Sequence, residues 1–423
     1  WCSAGLEGWS YNDVLPYFKR SERHLNRFDE YHGQDGPFNV VTARGDHPLY
    51  KAFLASGTAC GFKSNTDFNG SDQEGLGCYD FNIKNGRRES SATAFLRSAE
   101  KRANLSVLTG SSAEKIIFEG KKAIGIEVKI KNKLEKIYAN KEIVLSGGSI
   151  NSPQLLMISG VGPADHLKDK GIKVVHNLKG VGKNLQDHLE TYIQQECRTP
   201  DTLYSYVNKL RMLKIGIQWF LNKSGPCATS FLEAGGFCKS SEDKKYPNIQ
   251  FHFFPAFVID HGNVDPDRHG YQLHASLNQP KSRGYISLKT SNPYDYPKIQ
   301  FNYLENEYDL NETVKCVKVA RKILNQDAMK PYAGKEIGPG ENAKSDSEIV
   351  EYIRSKAETA YHPSCTLKMG IDDLSVVDEK LKIHGLENIR VADASVMPEI
   401  TSGNLNAPTL MIGERASDFI LNS

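Results

Sequence analysis

Hydrophobic residues recur at helical spacing in four separated stretches of the chain. Residues 8–23, 205–223, 310–326 and 407–421 have apolar positions three or four residues apart, which predicts helices. Ser10 is placed to cap the first of these helices. The last stretch can bury one face, made of Leu410, Met411, Ala416, Phe419 and Ile420.

β-Branched residues dominate other stretches. Residues 104–130 contain two such runs, broken at Gly110 and at Glu119–Gly120, which predicts a strand, a hairpin and a second strand. Residues 141–148 form a short apolar run that ends in glycines, as buried strands of α/β folds do.

A strand, a glycine turn and a short helix are predicted together in residues 144–163. Ser152 can cap the helix with Pro153 in its first position, and Gly160 can end it. Gly147 and Gly148 allow close backbone approach. Spacing alone favours a turn that needs small residues for packing; the other interpretation is a wall of a nucleotide site.

The middle of the chain has a different pattern. Residues 248–257, 269–277 and 283–291 read as strands in series, separated by glycine, proline, aspartate and asparagine turns. Such a series favours an antiparallel sheet and hence a second domain. Residues 387–395 then return to a short strand.

Composition excludes several classes of protein. Among 423 residues, 53 lysines and arginines oppose 51 aspartates and glutamates, so the net charge of +2 gives no electrostatic support for nucleic-acid binding. No apolar run approaches the roughly 18 residues of a spanning helix. The eight cysteines are scattered without a CxxC pair, which favours reduced thiols. We expect a cytoplasmic protein without a signal peptide, or one bound peripherally to the inner face of a membrane.

Fingerprints for nucleotides are absent. The segments "GVGKNL" (180–185) and "GPGENA" (338–343) approach GxGxxG, but both are better explained as plain loops, and no GxxxxGK[ST] loop exists. The turn in 144–163 and the C-terminal pattern nevertheless suit a nucleotide-binding fold.

Longer motifs carry a family resemblance. "GSINSPQLLMISGVG" (148–162), "GVGKNLQDH" (180–188), "YHPSCTLKMG" (361–370) and "SGNLNAPTLMIGERASDFI" (402–420) resemble, in the same order, signatures of the glucose–methanol–choline oxidoreductases, which oxidise alcohols with FAD. "FLEAGGF" (231–237) and the last two motifs are most similar to the choline-oxidising members. The resemblance covers essentially the entire chain.

That resemblance implies an α/β protein with an FAD-binding, Rossmann-like domain and an α+β substrate domain built on an antiparallel sheet. We predict the FAD-binding part at 1–190, the substrate-binding domain at 191–360, and a return to the FAD-binding domain at 361–423. The first βαβ unit, with the FAD glycines, is missing by the same alignment, so we expect a fragment that binds FAD poorly alone.

Alcohol oxidation needs a base for the hydroxyl proton and an acceptor for the hydride. The resemblance assigns the catalytic histidine to His362; without it, a structural loop histidine before Pro363 is the better interpretation. It assigns the second catalytic position to Asn404, which can hold the substrate oxygen by hydrogen bonds. Asn404 and Asn406 can alternatively cap the last helix.

Cofactor contacts are implied at further positions. Asp393 and its neighbour Ala394 match the region near the FAD ribityl and pyrophosphate groups, and Ala113 matches a residue whose backbone contacts adenine. Asn404 and Asn406 match the loop beside the flavin ring, at the positive end of the last helix.

Choline is a quaternary ammonium ion, whose recognition needs aromatic faces and a carboxylate. Glu233 and Phe254 are the candidate substrate residues, with Glu233 as a solvated loop residue and the aromatics as core the alternative. The predicted reaction is oxidation of choline to betaine aldehyde, in glycine betaine synthesis, with oxygen or a quinone-linked chain as electron acceptor. Oxidation of another primary alcohol, a non-redox FAD-containing lyase of the same family, and a non-enzymatic fragment are the alternatives.

Overall fold

The computed structural model describes residues 1–259 and 267–422. Its helices are α1 (Tyr11–Ser21), α2 (Pro48–Ala59), α3 (Arg97–Ala99), α4 (Gly148–Ile158), α5 (Ala164–Asp169), α6 (Lys209–Asn222), α7 (Glu307–Leu324), α8 (Asp346–Lys356) and α9 (Asn406–Leu421). All four helices predicted from hydrophobic spacing are present. Ser10 caps α1, in a reciprocal arrangement with Asp13.

Strands lie between these helices, many of them in series. They are β1 (Glu22–His24), β2 (Phe38–Thr42), β3 (Gly75–Cys78), β4 (Asp80–Phe81), β5 (Ile83–Lys84), β6 (Arg87–Arg88), β7 (Ser111–Glu119), β8 (Lys122–Ile130), β9 (Lys133–Tyr138), β10 (Ile143–Leu145), β11 (Val161–Gly162), β12 (His176–Asn177), β13 (Lys183–Leu185), β14 (Leu189–Cys197), β15 (Ala234–Cys238), β16 (Ile249–Phe254), β17 (Gly270–Leu277), β18 (Gly284–Ser287), β19 (Lys298–Gln300), β20 (Ala333–Gly338), β21 (Glu358–Thr359) and β22 (Ile389–Val391).

The largest sheet is antiparallel, with the order β20-β14-β17-β16-β15-β3 and β21 paired beside β14. The stretches predicted at 248–257 and 269–277 are its neighbouring central strands β16 and β17. The third predicted stretch, 283–291, contributes β18 to a separate sheet with β13 and β19. The predicted α/β fold with an antiparallel substrate sheet is therefore confirmed.

A second layer holds the hairpin β7–β8, extended by β9, and the parallel pair β10–β22. Because β10 lies at 143–145 and β22 at 389–391, the chain returns to its first half after crossing the large sheet. Two hydrophobic cores correspond to these layers, one centred on α4 and α9, the other on α7 and the large sheet. Helix α2 and β3 pack in the second core, although they belong to the first 190 residues; the predicted domain boundaries stay a prediction.

The predicted start of α4 is wrong. The helix begins at Gly148 with Gly147 as its N-cap, so Ser152 and Pro153 lie inside it. Proline has no N–H to donate to the carbonyl of Ser149, and Thr366 Oγ1 donates to that carbonyl instead, at 2.7 Å. A residue more than 200 positions away in sequence therefore compensates the proline.

Among the described residues, no helix combines the length and the apolar character needed to cross a bilayer.

Candidate active site

His362 lies in the loop that follows β21, and the backbone of the preceding segment holds it in place. The backbone N–H of His362 donates to Asp187 Oδ1 at 2.8 Å. Thr359 Oγ1 and the Tyr303 hydroxyl donate to the other oxygen of the same carboxylate. The half-buried imidazole therefore projects from a loop tied to the residue that precedes His188.

Four groups form a continuous hydrogen-bond chain through His362. The Asn278 carbonyl lies 3.0 Å from His188 Nε2, and His188 Nδ1 lies 2.9 Å from His362 Nδ1. His362 Nε2 then lies 3.2 Å from Asn404 Nδ2. His188 is fully buried.

The order of donors in this chain sets the histidine tautomers. A carbonyl can only accept, so His188 Nε2 carries the hydrogen and its Nδ1 is a bare acceptor. His362 Nδ1 must then donate, which leaves on His362 Nε2 a lone pair that faces Asn404 Nδ2 at 3.2 Å. An imidazole in this tautomer can accept a proton there.

Asn404 is oriented from the opposite side. Its Oδ1 accepts from Gln250 Nε2 at 2.9 Å, so its Nδ2 is the atom turned toward His362. The exposed Asn404 thus links His362 to strand β16. Its amide can also donate to a substrate oxygen.

Burial keeps both histidines neutral. It lowers the pKa of His362 to about 4 and that of His188 to about 3. A second cause for His188 is the neighbouring His362, whereas the charge of Glu190 acts in the opposite direction on both. At neutral pH the His362 lone pair is therefore available.

One face of the large sheet forms the floor beside this pair. Directly opposite residues of antiparallel strands share a face. By their register, this face carries Glu190, Tyr192 and Gln194 from β14, Gln272, His274 and Ser276 from β17, Gln250, His252 and Phe254 from β16, and Gly235 and Phe237 from β15. The floor is thus polar and aromatic, whereas the opposite face packs into the second core.

A buried carboxylate is embedded in this floor. Glu190 lies 2.9 Å from His274 Nδ1 and 3.6 Å from His252 Nδ1. Burial alone raises the pKa of this carboxyl, but the two histidines outweigh burial and hold it well below its usual range. In the described parts of the chain, lysine and arginine contribute no ion pair to it. Among the described residues, the floor therefore contains an ionised carboxylate that is paired with histidines and with no lysine or arginine.

Of the two substrate candidates, Phe254 lies on the floor and Glu233 directly precedes β15. Phe254 is half-buried on the same face as His252. Glu233 precedes β15 by one residue and is buried rather than solvated; its carboxylate accepts from Gly45 N at 2.9 Å and from Thr229 Oγ1 at 2.7 Å. The alternative of a solvated Glu233 is wrong.

Asp393 fastens the glycine turn to the returning segment. Its carboxylate accepts from Gly148 N at 2.9 Å, Ser152 Oγ at 2.6 Å and Ser395 N at 2.8 Å. The next residue, Ala394, accepts from Cys365 N through its carbonyl, at 3.1 Å. Ala113 is exposed on β7, the strand that packs against α4 through Ile116 N and Ser159 Oγ.

The start of α9 is open to a ligand. Its N-cap is Leu405, which offers no side-chain cap, so Asn404 and the exposed Asn406 do not cap the helix. The partly positive N–H groups of this turn face outward two residues after Asn404, where an anionic ring would be stabilised.

Orphaned polar groups lie beside His188 and His362. Asn278 is fully buried, yet neither its amide nitrogen nor its amide oxygen has a partner within the described residues, and the same holds for Thr401 Oγ1. Gln279 donates to Ser402 Oγ at 2.9 Å, so these segments touch. Buried polar groups normally have partners, and the polar edge of a flavin ring fits this place.

The comparisons agree with the fold. Residues 1–190 and 280–413 match the N- and C-terminal parts of the family described as GMC oxidoreductase. The chain belongs to this family of FAD-dependent oxidoreductases. It is 47% identical to the mitochondrial choline dehydrogenase of Homo sapiens over 422 residues, covering 99% of this chain and 71% of that protein. It is 45% identical to the oxygen-dependent choline dehydrogenase of Brucella ovis, covering 100% of this chain and 77% of that protein.

Solved structures share the fold. Pyridoxine 4-oxidase from Mesorbium loti superposes with a TM-score of 0.89 at 27% identity, covering 99% of this chain and 79% of that structure. A formate oxidase superposes with a TM-score of 0.91 at 22% identity, covering 98% and 79%. The second likeness shows the fold alone.

Several groups at the site were missed in the sequence. His188 stands in the quoted motif "GVGKNLQDH", but no role was assigned to it, and Glu190, Gln250 and His274 were not singled out. Period-two alternation along β14 and β16 places Glu190 with Tyr192, and Gln250 with His252, on one face. That signal was present, but which face lies beside His362 depends on strand register.

Proposed function

We propose that this protein oxidises choline to betaine aldehyde, with FAD as hydride acceptor. The supporting relatives are choline dehydrogenases at 45–47% identity. The observation that carries the choice of a cationic alcohol is Glu190, a buried, ionised carboxylate beside His362 that no lysine or arginine among the described residues neutralises.

His362 is the proposed base. Its Nε2 lone pair accepts the hydroxyl proton of the substrate, and Asn404 Nδ2 donates to the oxygen as negative charge develops there. The charge of Glu190 stabilises the imidazolium that forms. Because the pKa of His362 is about 4, the base stays unprotonated in neutral solution, and we expect the reduction rate to keep its plateau down to about pH 5.

The cofactor contacts are proposed from both ends of the site. Asn404 and Asn406 at the start of α9 would face the flavin ring, Asp393 and Ala394 would lie near the ribityl and pyrophosphate groups, and Ala113 near adenine. FAD, when bound, supplies the hydride acceptor. The open first turn of α9 and the orphaned Asn278 amide support this placement.

The substrate cation would lie over the floor. Glu190 supplies an ionised carboxylate whose charge acts on His362, and Phe254 offers an aromatic face. Glu233, held by Gly45 and Thr229, is a second buried carboxylate and directly precedes β15 of the same sheet. Two buried carboxylates that form no ion pair with lysine or arginine among the described residues favour a cationic substrate over a neutral one.

The test is anaerobic bleaching of the flavin in the full-length protein. We expect choline to bleach it far faster than the neutral isostere in which carbon replaces the quaternary nitrogen. Glu190→Gln should weaken the binding of choline, read from the concentration dependence of bleaching, at least about tenfold, since a close ion pair is worth several kcal/mol at an effective dielectric constant of about 20, but leave the binding of the isostere unchanged. Glu196→Gln, near the far end of β14, is the matched control.

Other outcomes have clear meanings. Equal bleaching by both alcohols would refute the cationic substrate and leave the oxidation of a neutral primary alcohol. A larger loss of choline binding in Glu233→Gln than in Glu190→Gln would mean that the substrate cation lies beside Glu233. Bound flavin that neither alcohol bleaches would refute choline oxidation. Oxygen uptake with and without a quinone analogue distinguishes the two electron acceptors.

A further inference from the structure

Helix α6 turns its apolar face away from the protein. None of its residues is buried. Five large side chains on one stripe are half or more exposed, namely Leu210 (78%), Leu213 (61%), Ile217 (50%), Phe220 (71%) and Leu221 (70%). An amphipathic helix on a globular protein normally packs such a stripe inward.

The stripe is continuous at helical spacing. Its members lie three or four residues apart along the helix or directly beside one another, so they cover one side of the cylinder. The opposite side makes the contacts with the protein: Trp219 Nε1 donates to the carbonyl of Gly86 at 2.7 Å, and Arg87 stacks on the Trp219 ring. The helix is therefore anchored by its tryptophan with the apolar stripe outward.

The charged residues of α6 and of the chain next to it in sequence are positive. Residues 202–232 contain no aspartate or glutamate, whereas Lys209, Arg211, Lys214 and Lys223 belong to α6 or follow it directly. Arg87 and Arg88 lie on the neighbouring strand β6. An outward apolar stripe with basic flanks is the pattern of helices that lie in the surface of an anionic bilayer.

We propose that α6 docks this protein on an anionic lipid surface, with the stripe among the acyl chains and the flanking cations at the headgroups. The charge pattern selects lipid over other occupants of the stripe. A second copy would bring two sets of cations together, which is unfavourable. The lysine side chains are long enough to keep their amines at the headgroups while their stems stay apolar. This proposal is independent of the substrate.

The test uses full-length, FAD-loaded protein and sedimentation with lipid vesicles. We expect binding to vesicles that contain phosphatidylglycerol and little binding to phosphatidylcholine alone. Leu213→Glu combined with Ile217→Glu should reduce binding at least about tenfold, because it places charge within the apolar stripe. Lys209→Glu with Lys214→Glu should remove the preference for anionic vesicles.

The control is Leu134→Glu with Tyr138→Glu on β9. These two side chains are 57% and 63% exposed, and they lie far from α6 in sequence. This control variant should bind vesicles like the unaltered protein. Equal vesicle binding by the α6 variant would overturn the proposal. A fall of several degrees in its melting temperature would instead mean that another part of the chain covers the stripe. A change from dimer to monomer would mean that a second copy covers it; either result refutes lipid docking.

Discussion

Replacement of His188 by leucine tests the order of hydrogen bonds from Asn278 through His188 to His362. In the unaltered protein His188 accepts from His362 Nδ1 and donates to the Asn278 carbonyl. Leucine can do neither, so the buried His362 N–H loses its acceptor. The imidazole is then free to take the other tautomer, in which Nε2 carries the hydrogen and cannot accept a substrate proton.

The structure sets the size of the effect. A buried donor left without a partner costs about 1–3 kcal/mol, and 1.4 kcal/mol corresponds to a factor of about ten in rate. We therefore expect His188→Leu to slow flavin reduction about 10- to 100-fold. His188→Gln should stay within about threefold, because the glutamine amide can donate to Asn278 and its oxygen can accept from His362.

Stopped-flow measurement of flavin reduction by choline is the assay, with FAD content and melting temperature measured on each variant. A merely structural role for His188 would lower the melting temperature in proportion to the rate, without rescue by glutamine. A His188→Leu variant that reduces flavin at a rate within threefold of that of the unaltered enzyme would refute the role of the His188–His362 hydrogen bond. It is also refuted if the glutamine variant is as slow as the leucine variant while both retain FAD.

Three further results are expected. Asn404→Ala should slow flavin reduction about 10- to 100-fold with FAD content unchanged, because it removes a donor to the developing oxyanion; an unchanged rate would exclude that role. Asp393→Asn should lower stability in urea by about 2 kcal/mol, because an amide nitrogen would face N–H and O–H donors; an unchanged midpoint would contradict this. Burial opposes the charging of His32, but Glu22 and Asp67 outweigh it and raise its pKa to about 9. Its stabilisation of about 2 kcal/mol, after solvent screening, is therefore fully present below pH 6.5 and should vanish as pH rises through 9, whereas a His32→Gln variant should show no such loss.

Local signals predicted the parts of the fold whose causes are local. The cap of α1 depends on Ser10 and Asp13, which are three residues apart, and the hairpin β7–β8 depends on its own strands and turn. The start of α4 does not. It depends on Thr366 and Asp393, which bond the first turns of the helix from the far end of the chain. A cap rule applied to "NSP" could not include them.

The candidate site also contains residues that could be predicted from local sequence motifs and residues that could not. His362 and Asn404 were found through motifs, and the structure brings them within hydrogen-bond distance of each other. His188 and Gln250 hold them from two other segments, and their positions depend on the register of β14, β17 and β16. Glu190 shares the face of Tyr192 by simple alternation, but its place beside the base follows only once the loop of His362 is tied to Asp187.

These contacts also explain how two separate hydrophobic cores can support one reaction centre. His188 lies between Leu185 of the first core and Ile193 of the second, and it bonds forward to Asn278 at the end of β17. On the other side, Asn404 precedes α9 of the first core and bonds to Gln250 of the large sheet. His362 is therefore held at both ring nitrogens by His188 and Asn404, which are themselves bonded to the sheet. A shift of one core against the other would break the bonds to Asn278 and Gln250 together, so the alignment of the base with the floor and the packing between the cores depend on the same two contacts.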